Sequence, residues 1–245
     1  GQVPLGNRKD IRDAVEYACN ESKWRSMSAH ARAQVLYYAA ENLDLRKDEF
    51  ARTIQLMTGE NGKDEVDQAL ENIFYFASWA DKFEGTIHNV PIRGVSLAMK
   101  EPLGVIAIVC PDNNPLLSFI HLVFSALCMG NTVVVVPSEK HPLCAIDMYQ
   151  IFETSDFPPG AINIVTGNRD ELSETLSKHM QVDGIWYFGS KEGSKKIEEN
   201  SNSNLKQTWV NNGLSYSWVD LPKEIKMKSL QKSIQIKNIW IPYGE

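Results

Sequence analysis

The sequence predicts a doubly wound α/β fold, in which helices cover both faces of a parallel sheet. Apolar runs separated by helix-length segments are the first observation: GVIAIV (104–109), TVVVVP (132–137), INIV (162–165), GIWYF (184–188) and LKQTWV (205–210). Nearly continuous apolar strands are typical of parallel sheets with two buried faces. Such Rossmann-like sheets bind ligands beyond the carboxyl ends of their strands, so the residues that follow each run are candidate site residues.

The second observation is helical periodicity in the N-terminal part of the chain. Apolar residues recur three and four positions apart, as on the buried face of a helix. They are Ile11, Ala14, Val15 and Ala18, then Ala33, Leu36, Ala40 and Leu43, and then Ala69, Leu70, Ile73, Phe74, Phe76 and Ala77. Gly59, Asn61 and Gly62 predict a turn before the third run. We therefore expect N-terminal helices packed on the sheet.

The third observation is a small β element made of two distant segments. Residues 85–100 alternate between polar and apolar side chains and contain Pro91 and Gly94, which predicts a hairpin. Residues 234–245 predict one more strand, which needs a partner elsewhere. The hairpin and another subunit are both candidates. The Lys-rich residues 222–233 between the sheet and this strand predict a solvated linker.

Composition excludes several classes of function. The net charge is −6 and no long basic run occurs, which argues against a nucleic-acid partner. No apolar stretch is long enough to span a bilayer, so we expect no membrane partner. The histidines are dispersed and the cysteines lack CxxC spacing, which predicts no metal site. Reduced thiols in apolar surroundings favour a cytoplasmic location. The cysteines are Cys19, Cys110, Cys128 and Cys144.

The strand ends resemble those of the aldehyde dehydrogenase superfamily. EPLGV, PDNNPLL, GNTVVVVPSE, FPPGAINIV, FGSKEG and NLKQTWVNNG follow one another in the order and spacing of that family. The resemblance runs from Leu5 to about Gly213 and resumes in the last residues. It implies an NAD-binding-like domain formed by 1–84 and 101–221, and an oligomerisation element formed by 85–100 and 234–245.

The same resemblance implies that the catalytic domain is absent. Family members are about twice as long, and the missing part falls after Gly213, where residues 222–233 would replace the catalytic domain. No segment resembles the GQxC stretch around the family's nucleophilic cysteine. The chain starts with Gly rather than Met, so we expect a piece of a longer protein. Because the terminal strand is present, we expect an internal deletion rather than a simple truncation.

Asn113 matches the asparagine whose side-chain amide helps to form the family's oxyanion hole. Such a donor stabilises charge only when a nucleophile attacks beside it. The residue before it, Asp112, stands where the family usually has tryptophan, and Asn114 stands where an aromatic residue usually follows. A carboxylate at this point would change the electrostatics of the nicotinamide pocket.

The second strand leads into the Pro-Ser-Glu motif of the adenosine ribose site. The usual lysine before this motif is Val136, which cannot donate a hydrogen bond. Pro137 and Glu139 are retained, and Glu139 could accept a hydrogen bond from a ribose hydroxyl. An exposed glutamate without a ligand is the simpler alternative.

Gly189 and Ser190 match the Gly-Ser that opens the helix under the cofactor pyrophosphate. Helix N-termini favour anions, although Gly-Ser at this point is also ordinary capping chemistry. Phe188 replaces a small polar residue in the family pattern. Asn211 stands in the position of the glutamate general base and cannot accept a proton. No cation lies near Cys110 in sequence, so we expect a buried structural thiol.

These departures predict no catalytic residue and no bound cofactor, apart from weak NAD binding. The chain resembles the shortened, non-catalytic C-terminal module of aldehyde dehydrogenase family sixteen. The resulting hypothesis is a pseudoenzyme that serves in assembly. Its partner is a second copy or the aldehyde dehydrogenase module of the same parent chain, bound through 85–100 and 234–245. The alternative is a regulatory module that still binds NAD(P) or another nucleotide.

Overall fold

The central sheet is parallel, as the apolar runs predict. The computed structural model describes residues 1–91 and 93–243. Its larger sheet contains β3 (Val105–Val109), β4 (Thr132–Val136), β5 (Ile162–Ile164), β6 (Gly184–Tyr187) and β7 (Gln207–Val210), in the spatial order β5-β4-β3-β6-β7. All four neighbouring pairs are parallel. The order moves outward from β3 in both directions, so the sheet is doubly wound as predicted.

Helices cover both faces of this sheet. One face packs against α1 (Arg8–Asn20), α8 (Arg169–Lys178) and α9 (Lys191–Asn200). The other packs against α3 (Ala29–Leu45), α4 (Lys47–Thr58), α5 (Gly62–Trp79), α6 (Pro115–Cys128) and α7 (Leu143–Thr154), with the short α2 (Lys23–Ser26) at the margin. Every residue of α6 is buried, so this helix forms the centre of that layer.

The N-terminal periodicity is confirmed as the buried faces of helices. Ile11, Ala14, Val15 and Ala18 are the buried residues of α1. In the third run Phe76 is fully buried, whereas Phe74 points outward and remains 44% exposed. The predicted turn is present, because Gly59 ends α4 in the left-handed region and the Asn61 side chain caps α5.

The segment predicted as a solvated linker is instead mostly helical, so that prediction is wrong. Its residues form α10 (Lys223–Lys232), whose Ser229 and Leu230 are buried. The Ser229 hydroxyl lies 2.8 Å from Nε2 of the buried His121 on α6. The lysines suggested solvent exposure, but one face of the helix packs on the core, and only Lys223 and Lys228 of its four lysines are exposed.

The small β element is an antiparallel sheet of three strands. The predicted hairpin is β1 (Thr86–His88) and β2 (Gly94–Pro102), so its second strand continues past residue 100. The terminal strand β8 (Ile234–Pro242) pairs with β2 along its whole length. Of the two candidate partners, the hairpin is therefore confirmed. Ile92 and residues 244–245 of the predicted segments lie outside the described residues.

Within residues 1–91 and 93–243, no helix combines the length and the apolar character needed to cross a bilayer. All four cysteines are free thiols, and Cys110, Cys128 and Cys144 are buried.

Candidate functional site

The carboxyl ends of the parallel strands meet at one edge of the large sheet. A cavity of about 330 Å³ lies there, between the turns that follow β3 and β6, Arg169 at the start of α8, and residues 211–218. Two of the predicted cofactor residues, Asn113 and Gly189, line this cavity. Pro137, Glu139 and Ser190 do not line it, so the structure brings only part of the predicted set together.

The Asn113 amide is engaged by the chain itself. Its Nδ2 donates a hydrogen bond to the Tyr216 carbonyl oxygen over 2.9 Å. The following residue, Asn114, lies in the left-handed region and leads into Pro115, the first residue of α6. The side chain that matches an oxyanion donor therefore fastens the segment after β7 to the turn after β3.

The negative charge of Asp112 is balanced by Arg169 at the same edge of the sheet. Its carboxylate accepts hydrogen bonds from Nη2 of Arg169 at 2.6 Å and from the Ser138 hydroxyl at 2.8 Å. Burial opposes ionisation of this carboxyl, yet Arg169 and the hydroxyl hold the pKa of Asp112 below its ordinary value. The carboxylate that the sequence places in the pocket thus ties three turns together.

Glu139 also binds its own chain. Its carboxylate accepts hydrogen bonds from the Asn168 side-chain amide at 3.3 Å and from the Arg169 backbone N–H at 3.1 Å. These contacts place a carboxylate at the N-terminus of α8, where it is favoured by the helix dipole. The side chain remains exposed, so a ligand could still reach it.

Gly189 and Ser190 have structural partners as well. The Ser190 hydroxyl accepts a hydrogen bond from the Gly193 N–H at 2.9 Å and caps α9. A Cβ at Gly189 would lie 2.5 Å from the hydroxyl oxygen of Tyr187, a buried residue of β6. A side chain at this position would force the buried Tyr187 ring to shift, so glycine suits the turn whether or not a phosphate binds there.

Phe188 closes the same turn with a cluster of aromatic side chains. Its ring meets those of Trp209, Tyr216 and Trp218 edge to face, with ring centroids 5.1, 5.5 and 5.3 Å away. Edge-to-face contacts of this kind are favourable. The cluster holds residues 216–218 against the end of β6 and fills space beside the cavity.

Asn211 is a buried connector between turns. Its Oδ1 accepts a hydrogen bond from the Gly189 N–H at 3.1 Å, and its Nδ2 donates one to the Leu214 carbonyl at 2.9 Å. The position of the family's general base therefore holds an amide whose donor and acceptor are both used by the fold.

Cys110 follows β3 and is fully buried in the core. Burial raises the pKa of its thiol to about 12, which Arg169 only partly offsets. Since the thiolate is the nucleophile, a thiol in this state is inert near neutral pH. The expectation of a buried structural thiol is confirmed.

Sequence reasoning missed Arg169, Tyr216 and Trp218. Asp112 was the available signal for the first, because a half-buried carboxylate needs a cation nearby. Arg169 is the first residue of α8, which follows β5, and β5 lies two strands away from β3 in the sheet. The two aromatic residues lie beyond β7, in a segment without periodicity, and no pattern indicated their position.

The small sheet has a second type of site, an edge that can accept another strand. Within the described residues, β8 pairs only with β2, so its outer edge is open. The N–H of Tyr243 donates to the Arg93 carbonyl, and the N–H of Leu103 donates to the Ser233 carbonyl. In this register the odd-numbered residues of β8 bond to β2, so the even-numbered ones direct their backbone groups outward.

One face of this sheet is apolar and exposed. Ile87, Leu97 and Ile239 form a row across all three strands. Val95 and Ile241 form the neighbouring row, and Ile87 and Ile241 are 75% and 50% exposed. Exposed apolar patches of this kind mark interaction surfaces.

The fold is that of a doubly wound α/β protein with a cavity at the carboxyl edge of its sheet, and comparison with known proteins identifies its family. The family model described as "Aldehyde dehydrogenase family" matches residues 1–218. Human aldehyde dehydrogenase 1A1 is 34% identical over 226 residues, which cover 86% of this chain and 44% of that protein. Human retinaldehyde dehydrogenase 3 is 33% identical over 224 residues, or 86% of this chain and 43% of that protein. The chain belongs to the aldehyde dehydrogenase family.

Solved structures agree with this assignment. Betaine aldehyde dehydrogenase of Staphylococcus aureus, in complex with NAD⁺, gives a TM-score of 0.81 at 30% identity and covers 85% of this chain and 43% of its own. PnpE of Pseudomonas sp. WBC-3, in complex with nicotinamide adenine dinucleotide, gives a TM-score of 0.83 at 28% identity, covering 86% and 44%. The chain spans less than half the length of these relatives and includes the NAD-binding portion of the fold.

Proposed function

We propose that this chain is a non-catalytic aldehyde dehydrogenase module that serves in assembly. The observation that carries the proposal is the open outer edge of β8, a strand that runs from Ile234 to Pro242. An exposed edge of this length readily adds another strand, and the apolar face beside it favours burial. The occupant of the edge is a second copy or the aldehyde dehydrogenase module of the same parent chain.

The loss of catalysis is supported by the side chains at the cavity. Asn211 cannot take a proton from water, and its amide is already bonded on both sides. Cys110 is buried with a pKa of about 12. The Asn113 amide donates to Tyr216 rather than into open space. The family's general base is thus replaced by Asn211, the Cys110 thiol is buried, and the Asn113 amide is already bonded to the chain.

Weak cofactor binding is supported by the same contacts. Val136 is fully buried and offers no donor to a ribose. Glu139 already accepts two hydrogen bonds, and Phe188 occupies space at the pyrophosphate turn. A cofactor would find no ribose donor at Val136 and would share Glu139 with Asn168 and Arg169, and every 1.4 kcal/mol lost weakens binding about tenfold. The free thiols are compatible with a cytoplasmic location.

A regulatory nucleotide site is the second candidate, and the cavity of about 330 Å³ beside Gly189 favours it. Calorimetric titration of the full chain with NAD, NADH and NADP separates the two functions. We expect no saturable heat in the micromolar range. Saturable micromolar binding would overturn the assembly-only function in favour of the regulatory one.

The assembly role is tested with a proline placed on the open edge. Asn238 directs its N–H outward, so Asn238→Pro removes an outer donor and leaves the bonds to β2 in place. Asn238→Ala keeps the N–H and is the matched control. Mass is measured by light scattering, alone and after mixing with the aldehyde dehydrogenase module. We expect the wild type and Asn238→Ala to form an assembly and Asn238→Pro to lose it. If Asn238→Pro and Asn238→Ala have the same mass, both alone and after mixing with the aldehyde dehydrogenase module, the proposal is contradicted.

A further inference from the structure

An open groove between α1 and α8 collects positive charge on the surface of the molecule. Its volume is about 220 Å³, and it shares no lining residue with the cavity at the strand ends. Its lining residues are Arg8, Arg12, Glu174, Thr175, Lys178 and His179. We propose that this groove binds the phosphate group of a phosphomonoester. Such a site goes beyond the assembly role and does not involve β8.

The packing of α1 against α8 holds the two walls of the groove together. Ile11 and Val15 of α1 belong to the same buried cluster as Leu172 and Leu176 of α8. These four side chains are at most 1% exposed. Because the helices meet through a packed apolar seam, the charged side chains beside the seam project from fixed backbone positions.

The charges of α1 are segregated around the helix. Arg8 and Arg12 lie one turn apart and both line the groove, whereas Asp10 and Asp13 line a different cavity beside β5. Among the described residues, neither arginine forms an ion pair, and Glu16, one turn beyond Arg12, does not pair with it. Like charges four residues apart on a helix are destabilising, and a bound anion would relieve this repulsion.

One carboxylate lies in the groove and balances only part of its positive charge. Glu174 pairs with Lys178 across one turn of α8, and both side chains are about half exposed. Lys178 and, more weakly, Arg8 hold the pKa of Glu174 below its ordinary value, so this carboxyl is ionised at neutral pH. Three permanent cations and one carboxylate leave an excess of two positive charges, in a chain whose net charge is −6.

The end of α8 is prepared for an anion by a buried lysine. The last carbonyl groups of a helix are partly negative and ordinarily repel anions. Here Nζ of Lys206 donates to the carbonyl oxygens of Ser177 and His179 over 2.6 and 2.9 Å. Burial lowers the pKa of Lys206 to about 8, so its ammonium is still charged at pH 7. This cation offsets the repulsion by the helix end.

His179 adds a neutral hydrogen-bond donor. Its Nδ1 accepts a hydrogen bond from the Gln181 N–H at 3.3 Å, so the proton of the neutral ring is on Nε2. Burial, together with Lys206 and Arg12, lowers the pKa of the imidazole, and the ring is therefore neutral at pH 7. Among the described residues, its Nε2–H has no acceptor and is left to bind a ligand.

The charge and the donors of the groove select a phosphomonoester. This group carries about 1.5 to 2 negative charges near neutral pH, which matches the excess in the groove. Its oxygens suit the forked N–H groups of two arginines, whereas one arginine alone can satisfy a carboxylate. The groove is smaller than the usual range of about 300–1,000 Å³ for whole ligands. It therefore holds the phosphate group while the rest of the ester extends into solvent.

Calorimetric titration of the full chain with glycerol 3-phosphate, at constant ionic strength, tests this site. Arg12→Gln removes one guanidinium and is expected to weaken binding about tenfold or more, as does the loss of a hydrogen bond to a charged group. Lys9→Gln removes the same charge from an exposed residue of α1 outside the groove and is the matched control. Its affinity is expected to stay within about twofold of the wild type, because salt screens a distant exposed charge.

Thermal unfolding separates a binding role of the arginines from a role in folding. Without phosphate, Arg12→Gln is expected to keep or raise the thermal midpoint, since it relieves repulsion from Arg8. Glycerol 3-phosphate is expected to raise the midpoint of the wild type and of Lys9→Gln by mass action. It is expected to leave the double variant Arg8→Gln/Arg12→Gln unchanged.

Nuclear magnetic resonance of His179 gives an independent readout. A bound phosphate stabilises the protonated ring, so the pKa of His179 is expected to rise when the ester is added. A phosphoserine peptide that binds more tightly than glycerol 3-phosphate identifies a phosphorylated protein segment as the source of the group, and the reverse order identifies a free ester. Absence of saturable binding of both probes in the millimolar range, or equal weakening by Arg12→Gln and Lys9→Gln, overturns the proposal.

Discussion

Gly189 has a packing role in the fold that does not depend on a bound ligand. The turn after β6 passes directly over the Tyr187 hydroxyl, and a methyl group at Gly189 would collide with it. Ser190 caps the helix that follows. The sequence predicted both residues as phosphate ligands, and their roles in the fold are sufficient to explain their presence. A single sequence cannot separate the two roles, because the same backbone geometry serves both.

His121 gives a residue-scale prediction for pH dependence. It is fully buried, and burial together with nearby Lys226 lowers the pKa of its imidazole to about 3. The unfolded chain binds a proton near the ordinary value of 6.5, so it binds more protons than the native state between these values. The free energy of unfolding attributable to His121 therefore falls by about 1.4 kcal/mol per pH unit below pH 6.5.

Urea unfolding of the wild type and of His121→Gln, followed by tryptophan fluorescence from pH 7 to 5, measures this slope. Glutamine can still bond to Ser229 but does not titrate. The difference in the free energy of unfolding between the wild type and His121→Gln is expected to narrow or reverse as the pH falls. A gap that stays constant over this range contradicts a neutral, buried His121.

At the scale of elements, α10 shows where periodicity failed. Its lysines dominate the composition, so the segment was predicted as a solvated linker. The structure buries only Ser229 and Leu230, a stripe too narrow to stand out in the sequence. The strands of the large sheet were predictable because their apolar runs are nearly continuous. The pairing of β8 with β2 was left open, since the two strands are far apart in sequence and nothing local selects a partner.

Truncation of Leu230 tests whether α10 is part of the core. Leu230 is fully buried between α10 and α6, so Leu230→Ala is expected to lower the free energy of unfolding by about 2–4 kcal/mol. Lys228→Ala changes an exposed residue of the same helix and is expected to stay within about 0.5 kcal/mol of the wild type. Chemical unfolding measures both. If Leu230→Ala lowers the free energy of unfolding as little as Lys228→Ala does, α10 does not pack on the core in solution.

At the scale of the whole molecule, the predictable part is the layered fold around the parallel sheet. The sequence indicated which strand ends form the site, but it did not show that Asp112, Glu139 and Asn113 would be bonded by their own chain. Their partners, Arg169, Asn168 and Tyr216, lie on other elements. Such contacts depend on the packed arrangement of turns, which local patterns do not encode.

Assembly through β8 also predicts how the stability of the molecule depends on concentration. Association stabilises the folded state by mass action, so the thermal midpoint of a dimer rises with protein concentration. Calorimetric scans over a concentration series are expected to show this rise for the wild type and Asn238→Ala. Asn238→Pro is expected to unfold at one midpoint throughout. If the thermal midpoint of the wild type does not change with protein concentration, the chain unfolds as a monomer.

Because β1 is short, it limits how far the small sheet can be extended by further strands. If a second copy fills the open edge of β8, the outermost strand on each side of the joined sheet is Thr86–His88. A strand of 3 residues offers too few backbone groups to recruit another sheet. Filaments need an interface that repeats without closing, whereas a two-fold contact closes on itself. Pairing through β8 would therefore end at two copies and protect an apolar edge from polymerisation.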